Sequence, residues 1–194
     1  MQAEHPQVSQ PELGDPQAYD RRGDAHLRGG RFDLAIEDFD RFLEAYPEAE
    51  PHHWRRGIAY YYAGRYEDGV RQFEVHRSVN PADVENAAWH FLCFARDEGP
   101  SRARAELLPV GHDRRAPMMM IYELYAGRAS AEDVLASAGE EPAARFYAHL
   151  YLGLYHEAYG DDAGARPHLE ASATTYAQGG YMGDVARVHW ALAQ

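Results

Sequence analysis

The stretch GDAHLRGGRFDLAIEDFDRFLEAYP (Gly23–Pro47) returns 34 residues later as GIAYYYAGRYEDGVRQFEVHRSVNP (Gly57–Pro81). Gly23 falls on Gly57, Gly30 on Gly64, Phe32 on Tyr66, Ala35 on Gly69, Phe39 on Phe73 and Pro47 on Pro81. A fixed period of this length marks a stack of helical pairs sharing one continuous core. Gly23 and Gly57 lack a Cβ and let paired helices approach closely. Phe39 and Phe73 fill the volume between helices. Gly29-Gly30 and Ala63-Gly64 make the turn inside each pair, and Pro47 and Pro81 stop the second helix.

Outward from this stretch the chain is built for helix. It has 32 Ala but only 9 Val, 3 Ile and 2 Thr, and Ala favours helix where β-branched residues favour strand. A third unit returns near Phe146–Tyr176, with Leu152, Gly153, Ala165 and Leu169 in the matching positions and Pro167 predicted to loosen its second helix. Between these units the pattern thins. Asp83–Arg96 reads as a helix, with Val84, Ala87, Ala88, Phe91, Leu92 and Ala95 on one face. Gly99-Pro100 breaks it, and Ser101–Leu108 is its short partner. Pro117–Ala126 and Ser130–Ser137 form another abbreviated pair, with a capping-box signal at Ser130 and Asp133. Tyr181, Val185, Val188 and Leu192 share one face of a closing helix.

These residues carry a resemblance to the tetratricopeptide repeat. The first unit matches that family at Tyr19, Gly23, Ala35, Phe39 and Pro47, and departs at Arg22 and Phe42. The second matches at Gly57, Tyr60, Phe73 and Pro81, and departs at Gly69 and His76. The resemblance implies an all-α, right-handed α-solenoid. Its repeats are expected at about 16–49 and 50–83, degenerate pairs at 84–115 and 116–141, a further repeat at 142–178 and a capping helix at 180–194. Residues 1–15 are polar and Pro- and Gln-rich, and are expected to be a flexible segment. The layout also resembles NlpI-type bacterial lipoproteins, through Ile121–Leu135 and Phe146–Ala165. That likeness implies an envelope adaptor, often dimeric, which brings proteases and cell-wall hydrolases together. The lipid-bearing cysteine of that group is missing from this sequence.

Composition narrows the chemistry. The formal net charge is -12, which disfavours nucleic acid and mildly favours basic partners. Lysine is absent, so a P-loop, a pyridoxal Schiff base and a kinase site are excluded. The one cysteine, Cys93, excludes an internal disulfide and a Cys-rich zinc site; it reads as a small core residue. No run is long enough for a transmembrane segment, and the N-terminus has no apolar leader core. Two compartments stay open: the expectation is cytoplasmic for the sequence as written, and periplasmic or envelope if it is a processed mature form.

Candidate chemical sites are weak. No His pair has i,i+3 or i,i+4 spacing, and His149 and His156 lie two turns, about 10 Å, apart on one helix, so neither a metal nor a cofactor is expected. No nucleophile elbow or Cys signature is present, so no catalytic residue is assigned. GGYMGD (Gly179–Asp184) resembles an anion cradle but has no preceding strand; it reads as a loop before a helix. Met118–Met120 read as core filling.

What remains is a surface for a protein or peptide partner. In the resembling family the first helix of each unit lines the concave face. That implies contact from Gln17, Asp20, Asp24, Leu27 and Arg28 in the first unit, from Pro51, Trp54, Ile58, Tyr61 and Tyr62 in the second, and from Tyr147, Leu150, Leu154, Glu157 and Ala158 in the late one. Asp20 and Asp24 would repel a carboxylate. The Trp54–Tyr62 residues would form an aromatic strip suited to a peptide or helix, or else pack against neighbouring helices or a second copy of the chain. Replacing Trp54 and Tyr61 by Ala is expected to end capture without unfolding, and loss of helicity would show the strip to be core. Two rival readings stand beside the adaptor: a homodimer whose groove holds its own N-terminal segment, and a helical enzyme with an unrecognised hydrolytic site.

Overall fold

A computed structural model describes residues 15–194. It is an all-α solenoid of antiparallel helix pairs with a closing helix, and no strand occurs among the described residues. The pairs are α1 (Pro16–Arg28) with α2 (Phe32–Ala45), α3 (Trp54–Tyr62) with α4 (Tyr66–Arg77), α5 (Val84–Glu98) with α6 (Pro100–Ala105), α7 (Met118–Tyr125) with α8 (Ala131–Ala138), and α9 (Pro142–Ala158) with α10 (Asp162–Ala173). A 3-10 turn, Pro47–His52, joins the first two pairs, and α11 (Tyr181–Leu192) closes the chain. Asp15 belongs to the fold: its side chain accepts from the Gln17 N–H and caps α1. The rest of the expected N-terminal segment lies outside the described residues.

One turn recurs. The N–H of Arg31, Arg65, Arg128 and Asp161 donates to the carbonyl five residues back, at 2.8 to 2.9 Å. This is the closing bond of a Schellman motif. It needs a residue of positive φ, which Gly30, Gly64, Gly127 and Gly160 supply. The abbreviated α7–α8 pair therefore keeps the turn of the regular ones. The α5–α6 junction does not; there Gly99 at φ +90° and Pro100 make the break.

The interior of each regular pair follows a second rule. A Cβ on Gly23 would lie 2.6 Å from the Phe39 ring, one on Gly57 2.6 Å from Phe73, and one on Gly153 2.6 Å from Leu169. In all three the glycine on the first helix faces a large side chain sixteen residues on. Ordinary carbon contact is about 3.5–4 Å, so any Cβ here would force the facing side chain to shift.

The middle of the chain is its core. Helix α5 is buried nearly all round, with Trp89, His90 and Cys93 inside as well as the apolar face read from spacing; a helix buried on every side is a central one. Arg115 ties the loop before α7 to the start of α5. Its guanidinium meets Glu85 at 2.5 Å, Asp113 at 2.6 Å and Asp83 at 2.8 Å. Helix α10 runs without interruption through Pro167.

Candidate functional site

The expected binding face is occupied by the chain itself. Helix α11 lies across the first helices of three pairs. Arg28 of α1 meets Asp184 at 2.9 Å. Trp54 of α3 packs edge-on against Tyr181, ring centres 4.8 Å apart. The Tyr62 hydroxyl and His189 Nδ1 are 2.9 Å apart, and His189 Nε2 sits 2.8 Å from Glu157 of α9. The open aromatic strip expected from the sequence is therefore corrected. Ile58 is fully buried, Tyr61 is 7% exposed, and Leu27, Leu150 and Leu154 are in the core. The strip rests against Trp89 of α5 as well as against α11.

The expected acidic patch is corrected too. Arg55 reaches Asp20 and Asp24, each at 2.8 Å, and His53 approaches Asp20 at 2.8 Å. Burial opposes ionisation of Asp20, yet the His53 hydrogen bond and the Arg55 charge outweigh it and hold the carboxyl below its usual range. Asp20 and Asp24 thus clasp α1 to α3 and do not project a free negative field. Arg28 is exposed beyond its two ion pairs.

The Tyr62–His189–Glu157 line superficially has a nucleophile, a base and an acid. Burial, followed by the nearby Tyr61 phenol and Glu157, pushes the Tyr62 phenol well up, away from the activation a nucleophile needs. The line joins three helices instead. Cys93 is buried, and burial likewise pushes its thiol up. His168 of α10 stands between the two α9 histidines: its Nδ1 is 2.9 Å from His149 Nδ1, and its ring stacks on His156. Spacing along one helix could not show this partner. No group of three or more His, Cys, Asp or Glu among the described residues is arranged to hold a metal ion.

An aromatic opening remains on this face. A cavity of about 410 Å³ lies between α3, α4, α5, α9, the Gln178–Gly180 linker and the first residues of α11. Trp54 and Ile58 line it from α3, Asn86 and Trp89 from α5, and Tyr147 from α9. Its size and aromatic lining fit a ligand-holding cleft. Of the residues expected at the face, Trp54, Ile58 and Tyr147 line it; Asn86, Trp89 and Tyr181 are additional. Spacing placed Tyr181 on the closing helix but did not show that it meets this cavity.

The pairing of Gly23 with Phe39, the Gly30 turn and the Pro47 stop all lie in one segment. Residues 16–49 match the tetratricopeptide-repeat family model. The fold of this chain is thus an all-α solenoid of helix pairs, with one unit similar to a tetratricopeptide repeat, and repeats of that family generally mediate protein–protein interaction. No helix among the described residues is long and apolar enough to cross a membrane.

Proposed function

We propose that this chain is a non-catalytic adaptor that holds a peptide segment of a protein partner. The segment enters the cavity between α3, α5, α9, the Gln178–Gly180 linker and the start of the closing helix. The observation that carries this reading is the cavity itself: this part of the first-helix face, which α11 leaves open, is lined by Trp54, Trp89, Tyr147 and Tyr181. Aromatic side chains give large contact area for little lost entropy and dominate binding energy at interfaces. The relay at Tyr62 lacks an activated group, which supports a holding role over a reaction.

The order of regular, abbreviated and late pairs supports an envelope adaptor of the NlpI-like kind, in which the partner co-fractionates with the cell envelope. Capture from the native host tests the main reading. Wild-type chain and a Trp54→Ala, Tyr181→Ala variant are used as bait, and bound proteins are quantified by mass spectrometry. Loss of specific partners from a variant with unchanged helical circular dichroism is expected. The same partners in the same amounts would contradict the proposal.

A further inference from the structure

The cavity has a chemical bias. Two carboxylates line it, Asp83 and Glu85, and no arginine does. Arg115 reaches both, but it also holds Asp113. One guanidinium thus serves three carboxylates, a formal surplus of two negative charges. Asn86 and Trp89 line the same cavity and are 4% and 2% exposed. Asn86 gives its amide N–H to the Phe73 carbonyl at 3.0 Å, which leaves its Oδ1 as an acceptor without a donor. Trp89 leaves its indole N–H without an acceptor. Buried polar atoms with no partner are costly and rare.

An organic cation supplies what these groups lack. Its N–H groups satisfy Asn86 Oδ1, and its charge offsets the surplus on Asp83 and Glu85. The faces of Trp54 and Trp89 attract it through their quadrupoles, whereas the Tyr181 and Tyr147 rings already meet Arg28 and Arg115. A carbonyl beside the cation would meet the Trp89 N–H, as a peptide backbone offers and a simple amine does not. An anion would be repelled, and a neutral aliphatic group would leave Asn86 unpaired. The chain's formal charge of -12 favours the approach of a basic segment.

We infer that this cavity receives the ammonium or guanidinium group of a lysine or arginine presented by the partner's peptide. The inference rests on the adaptor reading and names the chemistry of its site. Free alkyl diamines share the ammonium chemistry and form a separate arm of the test.

The test is calorimetric titration of the full chain with four probes: acetyl-Ala-Lys-Ala-amide, its arginine counterpart, its norleucine counterpart and 1,4-diaminobutane. The lysine and arginine peptides are expected to bind at least tenfold tighter than the norleucine peptide and tighter than the diamine. Glu85→Gln and Trp54→Leu are each expected to weaken the lysine peptide at least fivefold. Glu85 also pairs with Arg115 and Tyr151, so Trp54→Leu keeps the test intact if Glu85→Gln unfolds. Equal binding of lysine and norleucine peptides, both weakened by Trp54→Leu, would overturn the cation and leave the adaptor reading standing. A diamine as tight as the lysine peptide would overturn the peptide source. No binding of any probe, with partner capture unchanged by Trp54→Ala and Tyr181→Ala, would overturn both.

Discussion

Gly69 stands on α4 where the resembling repeats carry alanine, and its neighbour explains why. A Cβ built on Gly69 would lie 2.6 Å from Cys93 Sγ on α5, about 1 Å short of ordinary contact. The next atoms, Cys93 Cβ and the Gly57 carbonyl oxygen, are both 3.6 Å away and leave room. Gly69→Ala alone should therefore overpack a sulfur that is fully buried. Overpacking costs about 1–3 kcal/mol, and the helix gains back about 0.5–1 kcal/mol on replacing glycine. The net loss is about 1–2 kcal/mol. Cys93→Ala alone empties the sulfur's volume and should cost about 1 kcal/mol. In the double variant the new methyl group occupies that volume at ordinary distance. Its stability should return to within about 0.5 kcal/mol of wild type, a coupling of about 2 kcal/mol or more. Urea unfolding of the four proteins, followed by far-ultraviolet circular dichroism, measures this directly. Additive losses within about 0.5 kcal/mol would refute the proposed contact between α4 and α5.

Two further outcomes follow from the same contacts. His90 is buried, and neither ring nitrogen has a hydrogen-bond partner; burial pulls its imidazole down to about 4. The unfolded chain takes up that proton first, so the stability is full above about pH 6.5 and is lost as pH falls toward 4. The loss is about 3 kcal/mol, and His90→Leu should flatten the pH slope of urea midpoints by up to one proton. His189→Ala removes the bridge between Tyr62 and Glu157 and should destabilise α11 by about 1–3 kcal/mol. Hydrogen exchange should then speed within Tyr181–Leu192 while α4 stays protected, and unchanged α11 exchange would show that the bridge is idle.

The sequence made the regular pairs legible because each rests on local chemistry: a glycine facing a bulky residue, a positive-φ turn, a proline stop. Departures from the repeat were visible without their compensation. Arg22 replaces an apolar residue on the first helix, and the structure pairs it with Asp38, sixteen residues on; Arg56, 34 residues after Arg22, pairs with Gln72 in the same way. That second polar position shares the register, so it could have been read. The closure could not. The spacing of Tyr181, Val185, Val188 and Leu192 showed that a helix forms but not how it rolls. In the structure Leu192 is 61% exposed, while Gly183, Val185, Ala186 and His189 face inward. His189 is drawn in by a hydroxyl from α3 and a carboxylate from α9, partners 127 and 32 residues away. The same distant contacts turned the aromatic strip into core, so Tyr61→Ala would remove a packed ring and cost about 3–5 kcal/mol. Trp54 and Tyr181, both at the cavity, are the sounder probes of binding.

The chain's three tryptophans allow the most direct test of the central claim. Trp54 and Trp89 line the cavity, whereas Trp190 lies under Arg166 in a separate depression between α10 and α11. Proton–nitrogen NMR of the indole groups reports each one separately during titration with a lysine-containing peptide. The Trp54 and Trp89 resonances should shift together and saturate, with the Trp89 N–H moving as it gains a hydrogen-bond acceptor, and Trp190 should stay in place. A saturating peptide that moves Trp190 alone, or leaves all three unmoved, would contradict the account.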